Sequence, residues 1–142
     1  MKIGVLVGLG TDGYTADMTE SYKVANIIHK HVNKLPSVGW VEPPQMLFDN
    51  NRKIVNRFIE GTTGILKEGA YADVIIVDYN GPTPLNETNL NSHLLFGVTG
   101  RNVDTTIING RVVMDERKLV DIDEEKIAAK SVELAQKLWN RI

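Results

Sequence analysis

Hydrophobic and polar positions follow first no period, then a helical one, then a strand-like one along this chain. Ile3-Gly4-Val5-Leu6-Val7 is apolar throughout, the pattern of a short strand buried on both faces of a parallel sheet. Met18, Tyr22, Ala25, Ile28, Val32 and Leu35 then recur every three or four residues, which predicts a helix with one apolar stripe. Asp17, with Glu20 three residues later, signals the start of that helix, and Pro36 stops it. Pro43-Pro44 opens a second helix, from about Gln45 to Ile59, with Leu47, Ile54, Val55, Phe58 and Ile59 inward and Gly61 at its end.

Past Gly64 the pattern becomes strand-like. Ala72-Asp73-Val74-Ile75-Ile76-Val77-Asp78-Tyr79 is a β-branched run bounded by turn residues. Thr105 to Ile108, Asn109-Gly110, and Arg111 to Met114 read as a hairpin, because Asn-Gly accepts the two positive-φ positions of a type I′ turn. The intervening Gly81 to Gly100, rich in Asn, Pro and Gly, reads as an ordered but irregular loop. A last helix is expected from about Asp123 to Arg141, with Ile127, Ser131, Leu134, Ala135, Leu138 and Ile142 along one side. The order strand, helix, helix, strands, helix indicates an α/β protein divided at 1–61, 62–121 and 122–142, the middle part a separate β layer.

Composition narrows the function classes. The 142 residues equal one ordinary domain or pieces of two, and 42% hydrophobic with 24% charged residues is globular rather than disordered. A net charge of -2, with no Lys/Arg block longer than two, gives no case for nucleic acid. The absence of cysteine excludes disulfides, thiolate metal sites and a cysteine nucleophile. No run approaches the roughly 18 apolar residues of a membrane span, and Met1 to Val7 is too short for a signal h-region. A soluble, cytoplasmic protein without nucleic-acid or membrane partners is the expectation.

The candidate chemistry lies in Gly8-Leu9-Gly10-Thr11-Asp12-Gly13, directly after the first strand. Its G-x-G-x-x-G spelling suits a phosphate-cradling loop, yet Tyr14-Thr15-Ala16 separate the last glycine from the helix cap. The acid that would bind a ribose, Glu42, lies roughly thirty rather than roughly twenty residues on. Asp12 would also set a negative charge beside the phosphates. An aspartate at the C-terminal end of a barrel strand, available to a divalent metal or to the proton of a bound water, fits the same residues better. A turn-capping aspartate remains a third reading that spacing leaves open.

The string Gly8-Leu9-Gly10-Thr11-Asp12-Gly13-Tyr14-Thr15-Ala16-Asp17-Met18 resembles the last metal-ligand motif of the amidohydrolase superfamily. Within it the chain is similar to the triazine-hydrolase and nucleobase-deaminase branch, especially aminohydrolases of the SsnA type. The likeness continues through Gly64 to Asp78, Asn91 to Gly97 and Val103 to Val113. It implies the C-terminal fragment of a metal-dependent (β/α)8 barrel, with its last strand and helices in 1–61. Half of the associated β-sandwich would occupy 62–121, and a C-terminal helix 122–142. It implies hydrolysis of C–N or C–Cl bonds of nitrogen heterocycles, with zinc or iron as the metal and a small heterocycle as substrate. Asp12 would be metal ligand and catalytic carboxylate, and Tyr14 a substrate contact beside Asp17.

The departures from that family are large. A complete barrel takes about 250 residues, and the paired histidines of the first barrel strand have no counterpart before Asp12. His29 and His31 lie on the first predicted helix, where residues two apart point roughly 200° from each other and cannot chelate one ion. They read as a solvated helix end, and His93 as a hydrogen-bonded loop residue. With one plausible ligand where a catalytic zinc takes three, the isolated chain is expected to be inactive and to hold no metal. Its unpaired strand edges predict a homo-oligomer or association with a barrel portion. An oligomerising module without enzymatic activity, and nucleotide binding at Gly8–Gly13, are the rival expectations.

Overall fold

The structure, a computed structural model, describes residues 4–142; Met1 to Ile3, and with them the start of the expected strand at 3–7, lie outside it. Residues 4–10 form no ladder with any other strand among the described residues. The strand expected at 3–7 is thus not formed over 4–7, for a physical reason: a parallel strand is satisfied by neighbours on both edges, and the described residues supply neither.

Helix α1 spans Met18–Asn33, capped by Asp17 and closed by Lys34 in the left-handed region at φ 54. Its burial departs from the expected stripe. Tyr22 and Asn26 are buried, but Ile28 is 55% and Val32 70% exposed. The periodicity was that of a helix meant to be covered, and nothing in the described residues covers that half of it.

The second helix is continuous but of mixed register: α2 at Glu42–Pro44, a π-helical turn at Gln45–Asn50 and α3 at Asn51–Val55. It ends before the expected Ile59 because Asn56 turns its carboxamide back on the chain. Asn56 Nδ2 donates to Arg52 O at 2.7 Å and Thr63 O at 3.0 Å, and its Oδ1 accepts Thr63 N–H at 2.9 Å. Phe58, expected inward, is therefore outside the helix and exposed. Val38 to Val41, just before α2, form a bend through Gly39 at φ 78.

The β layer is a four-stranded antiparallel sheet in the order β1 (Val74–Val77), β2 (Val103–Ile108), β3 (Arg111–Asp115), β4 (Lys118–Leu119). The β2–β3 hairpin turns on Asn109 and Gly110 at φ 50 and 77, as Asn-Gly predicts. Asp73 ties the hairpin turn to the segment after the second helix, accepting Thr63 Oγ1–H at 2.5 Å and Asn109 N–H at 2.8 Å.

The loop expected over 81–100 contains a helix, α4, at Leu90–Gly97. His93 ties it to the segment that follows β1: its Nδ1 lies 2.9 Å from Tyr79 Oη and its Nε2 3.0 Å from Thr83 Oγ1. The asparagines that signal a loop close the turn leading into this helix, where Asn86 Oδ1 accepts Thr88 and Asn89 N–H. The small core sits between α1, α2 and α4, around Tyr22, Pro43, Leu95 and Val98. The last helix, α5 (Glu124–Trp139), lies where it is expected and is capped by Asp123, but it is exposed along its whole length.

Candidate functional site

The segment from Val7 to Leu9 is held not by strands but by two asparagines. Asn50 Nδ2 donates to Val7 O at 2.7 Å, and Asn51 Nδ2 donates to Leu9 O at 2.9 Å. Asn51 Oδ1 accepts Leu9 N–H at 2.9 Å. A Cβ on Gly8 would collide with Asn51 Oδ1 and come within 3.0 Å of Ile54 Cδ1, so the first glycine of the loop is a steric requirement of this docking. Gly10 and Gly13 have open space around them. Sequence reasoning missed Asn50 and Asn51; their one signal is two adjacent carboxamides inside a predicted helix, where Asn is a poor helix former.

Asp12 follows in a turn closed by Tyr14 N–H to Thr11 O at 3.3 Å. It takes φ 51, a left-handed conformation that aspartate tolerates better than most residues. Its carboxylate is exposed and has no hydrogen-bond partner among the described residues. It borders a concavity of about 720 Å³ walled by Leu9 and Thr11 on one side and Glu20, Val24 and Ile28 of α1 on the other. Tyr14 stands at that rim but is 93% exposed.

Asp17 has a different task. Its Oδ1 accepts Thr19 N–H at 2.8 Å, Thr19 Oγ1–H at 2.6 Å and Glu20 N–H at 3.3 Å, while Oδ2 accepts Gly100 N–H at 2.8 Å. Burial raises its pKa, but these four donors outweigh that and hold the carboxyl below the usual aspartate range. Asp17 is thus the helix cap and a tether to the loop before β2. It also occupies the N-terminal amides of α1 that a phosphate would need, which removes the anchor of a nucleotide loop.

His29 and His31 lie on α1 as expected, with His29 Nε2 4.0 Å from Glu42 Oε2. Backbone amides, its own first, and the facing His29 hold the Glu42 carboxyl below its ordinary value. His93 is buried in its contacts with Tyr79 and Thr83, far along the chain from Asp12. Among the described residues no three His, Asp or Glu side chains converge to hold a metal ion. The three protein ligands of a catalytic metal site are therefore not brought together by the described residues alone.

The sequence profile of the Amidohydrolase family matches residues 1–113. The chain belongs to this family. It is 37% identical over 131 residues to the 5-methylthioadenosine/S-adenosylhomocysteine deaminase of Dictyoglomus thermophilum, covering 89% of this chain and 30% of that one. It is 36% identical over 146 residues to the 5'-deoxyadenosine deaminase of Methanococcus aeolicus, covering 100% of this chain and 32% of the relative. The chain thus spans about a third of the length of the curated relatives it matches.

Two solved structures share the amidohydrolase-like fold. A zinc-bound adenosine deaminase from Xanthomonas campestris superposes with a TM-score of 0.71 at 18% identity, over 87% of this chain and 28% of that one. A triazine hydrolase variant gives 0.69 at 22% identity, over 94% of this chain and 30% of the other. The resemblance read from the Gly8 to Met18 motif is therefore correct at the level of family. No helix of the described residues is long and apolar enough to cross a membrane.

Proposed function

We propose that this chain supplies the Asp12 end of a metal-dependent aminohydrolase that deaminates a nitrogen heterocycle. One observation carries the reading: Asp12 is an exposed carboxylate, without a hydrogen-bond partner among the described residues, held in a left-handed turn at the mouth of the concavity against α1. A divalent metal, zinc or iron, supplies in such sites the acidification of the attacking water. Asp12 would supply one ligand to that metal and a carboxylate oxygen able to take up a proton from the water, and Tyr14, at the rim of the concavity, would be a contact for the substrate. The relatives named for adenosine derivatives favour a purine nucleoside over a triazine. With one ligand of three, the isolated chain turns nothing over.

The exposed apolar residues support a companion. Val5 and Val7 before the loop, and Ile28 and Val32 on α1, lie open to solvent. The chain buries them against a barrel portion or a second copy of itself.

The test is a fusion in which the full 142-residue chain replaces the matched third of the Dictyoglomus thermophilum deaminase. The fusion binds stoichiometric zinc or iron and releases ammonia from 5-methylthioadenosine. Asp12→Asn abolishes turnover without unfolding the protein. A folded, metal-loaded fusion whose Asp12→Asn variant keeps its rate refutes the assignment.

A further inference from the structure

We infer that Asn51 is a positioning residue, a side-chain substitute for a neighbouring strand that ends the Val7–Leu9 segment and sets where the Asp12 turn begins. The inference rests on the reading of Asp12 as the reactive carboxylate. A carboxamide is the side-chain group that carries a donor and an acceptor in the geometry of a peptide. Asn51 uses both on one residue, Leu9, at 2.9 Å each, across 42 positions of sequence. A strand neighbour makes the same pair of bonds in an antiparallel ladder.

Three further observations belong to the same device. Asn50, 3% exposed, donates to Val7 O, so successive carboxamides address alternate carbonyls of one segment. Both asparagines sit where the π-helical turn meets α3, with Asn51 N–H bonded to Met46 O. That wider i→i+5 turn brings two consecutive side chains onto one side, and such turns recur at functional sites. Gly8 lacks the Cβ that would fill the space of Asn51 Oδ1. Turn, helix and glycine are matched to one contact.

Leu9 stands three residues before Asp12. With both its backbone groups engaged, Leu9 cannot extend a ladder on that edge, and the chain is free to turn only from Gly10 onward. A shift of Leu9 carries Asp12 with it.

The test uses the full chain in solution. Nuclear magnetic resonance detects a scalar coupling through the hydrogen bond from Asn51 Nδ2 to the Leu9 carbonyl carbon in the wild-type protein. Absence of that coupling in a spectrum that resolves the Asn56 carboxamide bond to Thr63 overturns the inference without any variant. Asn51→Ala speeds exchange of the Leu9 amide about tenfold, the weight of one lost hydrogen bond, and moves the Gly10 to Gly13 resonances. Asn56→Ala, which cuts a comparable network on the same helix, leaves them in place. Equal effects from the two variants overturn the claim.

Asn51→Asp adds a readout that general destabilisation does not move. At neutral pH the carboxylate accepts Leu9 N–H but repels Leu9 O; on protonation it donates again, so the Gly10 to Gly13 shifts return toward wild type as pH falls. Shifts that stay displaced at every pH at which the wild type is folded count against it. In the deaminase fusion, Asn51→Asp lowers kcat, by up to about 100-fold for a displacement near 1 Å, with KM unchanged. A wild-type kcat overturns the positioning role. The two readings fail separately: an active Asp12→Asn fusion with the coupling present removes Asp12 alone, and a missing coupling with an inactive Asp12→Asn fusion removes Asn51 alone.

Discussion

The two oxygens of Asp17 do separable work, and two substitutions take them apart. Oδ1 caps α1 through Thr19 and Glu20, and Oδ2 holds Gly100 from across 83 residues. Loss of an aspartate cap costs about 1 kcal/mol. A charge-assisted bond to a half-buried amide adds about 1.5 kcal/mol. Asp17→Ala forfeits both and should lose about 2–3 kcal/mol. Asp17→Asn keeps an oxygen for Thr19 and Glu20, since asparagine caps as well as aspartate. Its NH2 then meets the Gly100 N–H donor to donor, so about 1–1.5 kcal/mol is lost.

Urea unfolding at pH 7 and one fixed protein concentration reads the order wild type, Asn, Ala as three midpoints with a common slope. An Asn variant as stable as wild type would show that the Gly100 bond contributes nothing, and equal Asn and Ala variants that the cap does not. The pH dependence has a definite sign. The folded carboxyl lies below the ordinary aspartate value of about 3.9, because its donors outweigh the burial that raises it. Its contribution is complete above the unfolded value and fades as pH falls through the folded one. The Ala variant's stability loses that part of the acid dependence.

Four other outcomes follow from the same geometry. Asp12→Asn leaves the unfolding midpoint of the isolated chain within about 0.5 kcal/mol, since its carboxylate touches no described partner; a larger loss would mean a structural role. Gly8→Ala destabilises by about 1–3 kcal/mol through collision with Asn51, read as a drop in Tm, and an unchanged Tm would show the contact is slack. Gly110→Ala costs about 1 kcal/mol because the turn requires φ 77, while replacement of the open Gly10 does not carry that strain. Sedimentation at micromolar concentration should find self-association through the open faces, and a stable monomer refutes it.

Much of the secondary structure was legible because its causes are local. Asp17 and Asp123 cap helices by reaching amides two or three residues away, and Asn109-Gly110 turns a hairpin by its own backbone preferences. The Asp12 motif was legible for the same reason, as a short string whose glycines and carboxylate stand together. Burial was not legible. Ile28 and Val32 carry the period of a covered helix, and whether they are covered depends on atoms outside these residues.

What the sequence alone determined is the alphabet of local elements and the family. Tertiary structure decided the rest through contacts between distant positions. It placed α4 where an irregular loop was expected, by fitting His93 between Tyr79 and Thr83. It withheld the first strand, because pairing needs neighbours that no local signal provides. It turned Asn51 from an unfavourable helix residue into the partner of Leu9, 42 positions away. A carboxamide's worth depends on the backbone group it meets, and only the folded chain brings that group to it.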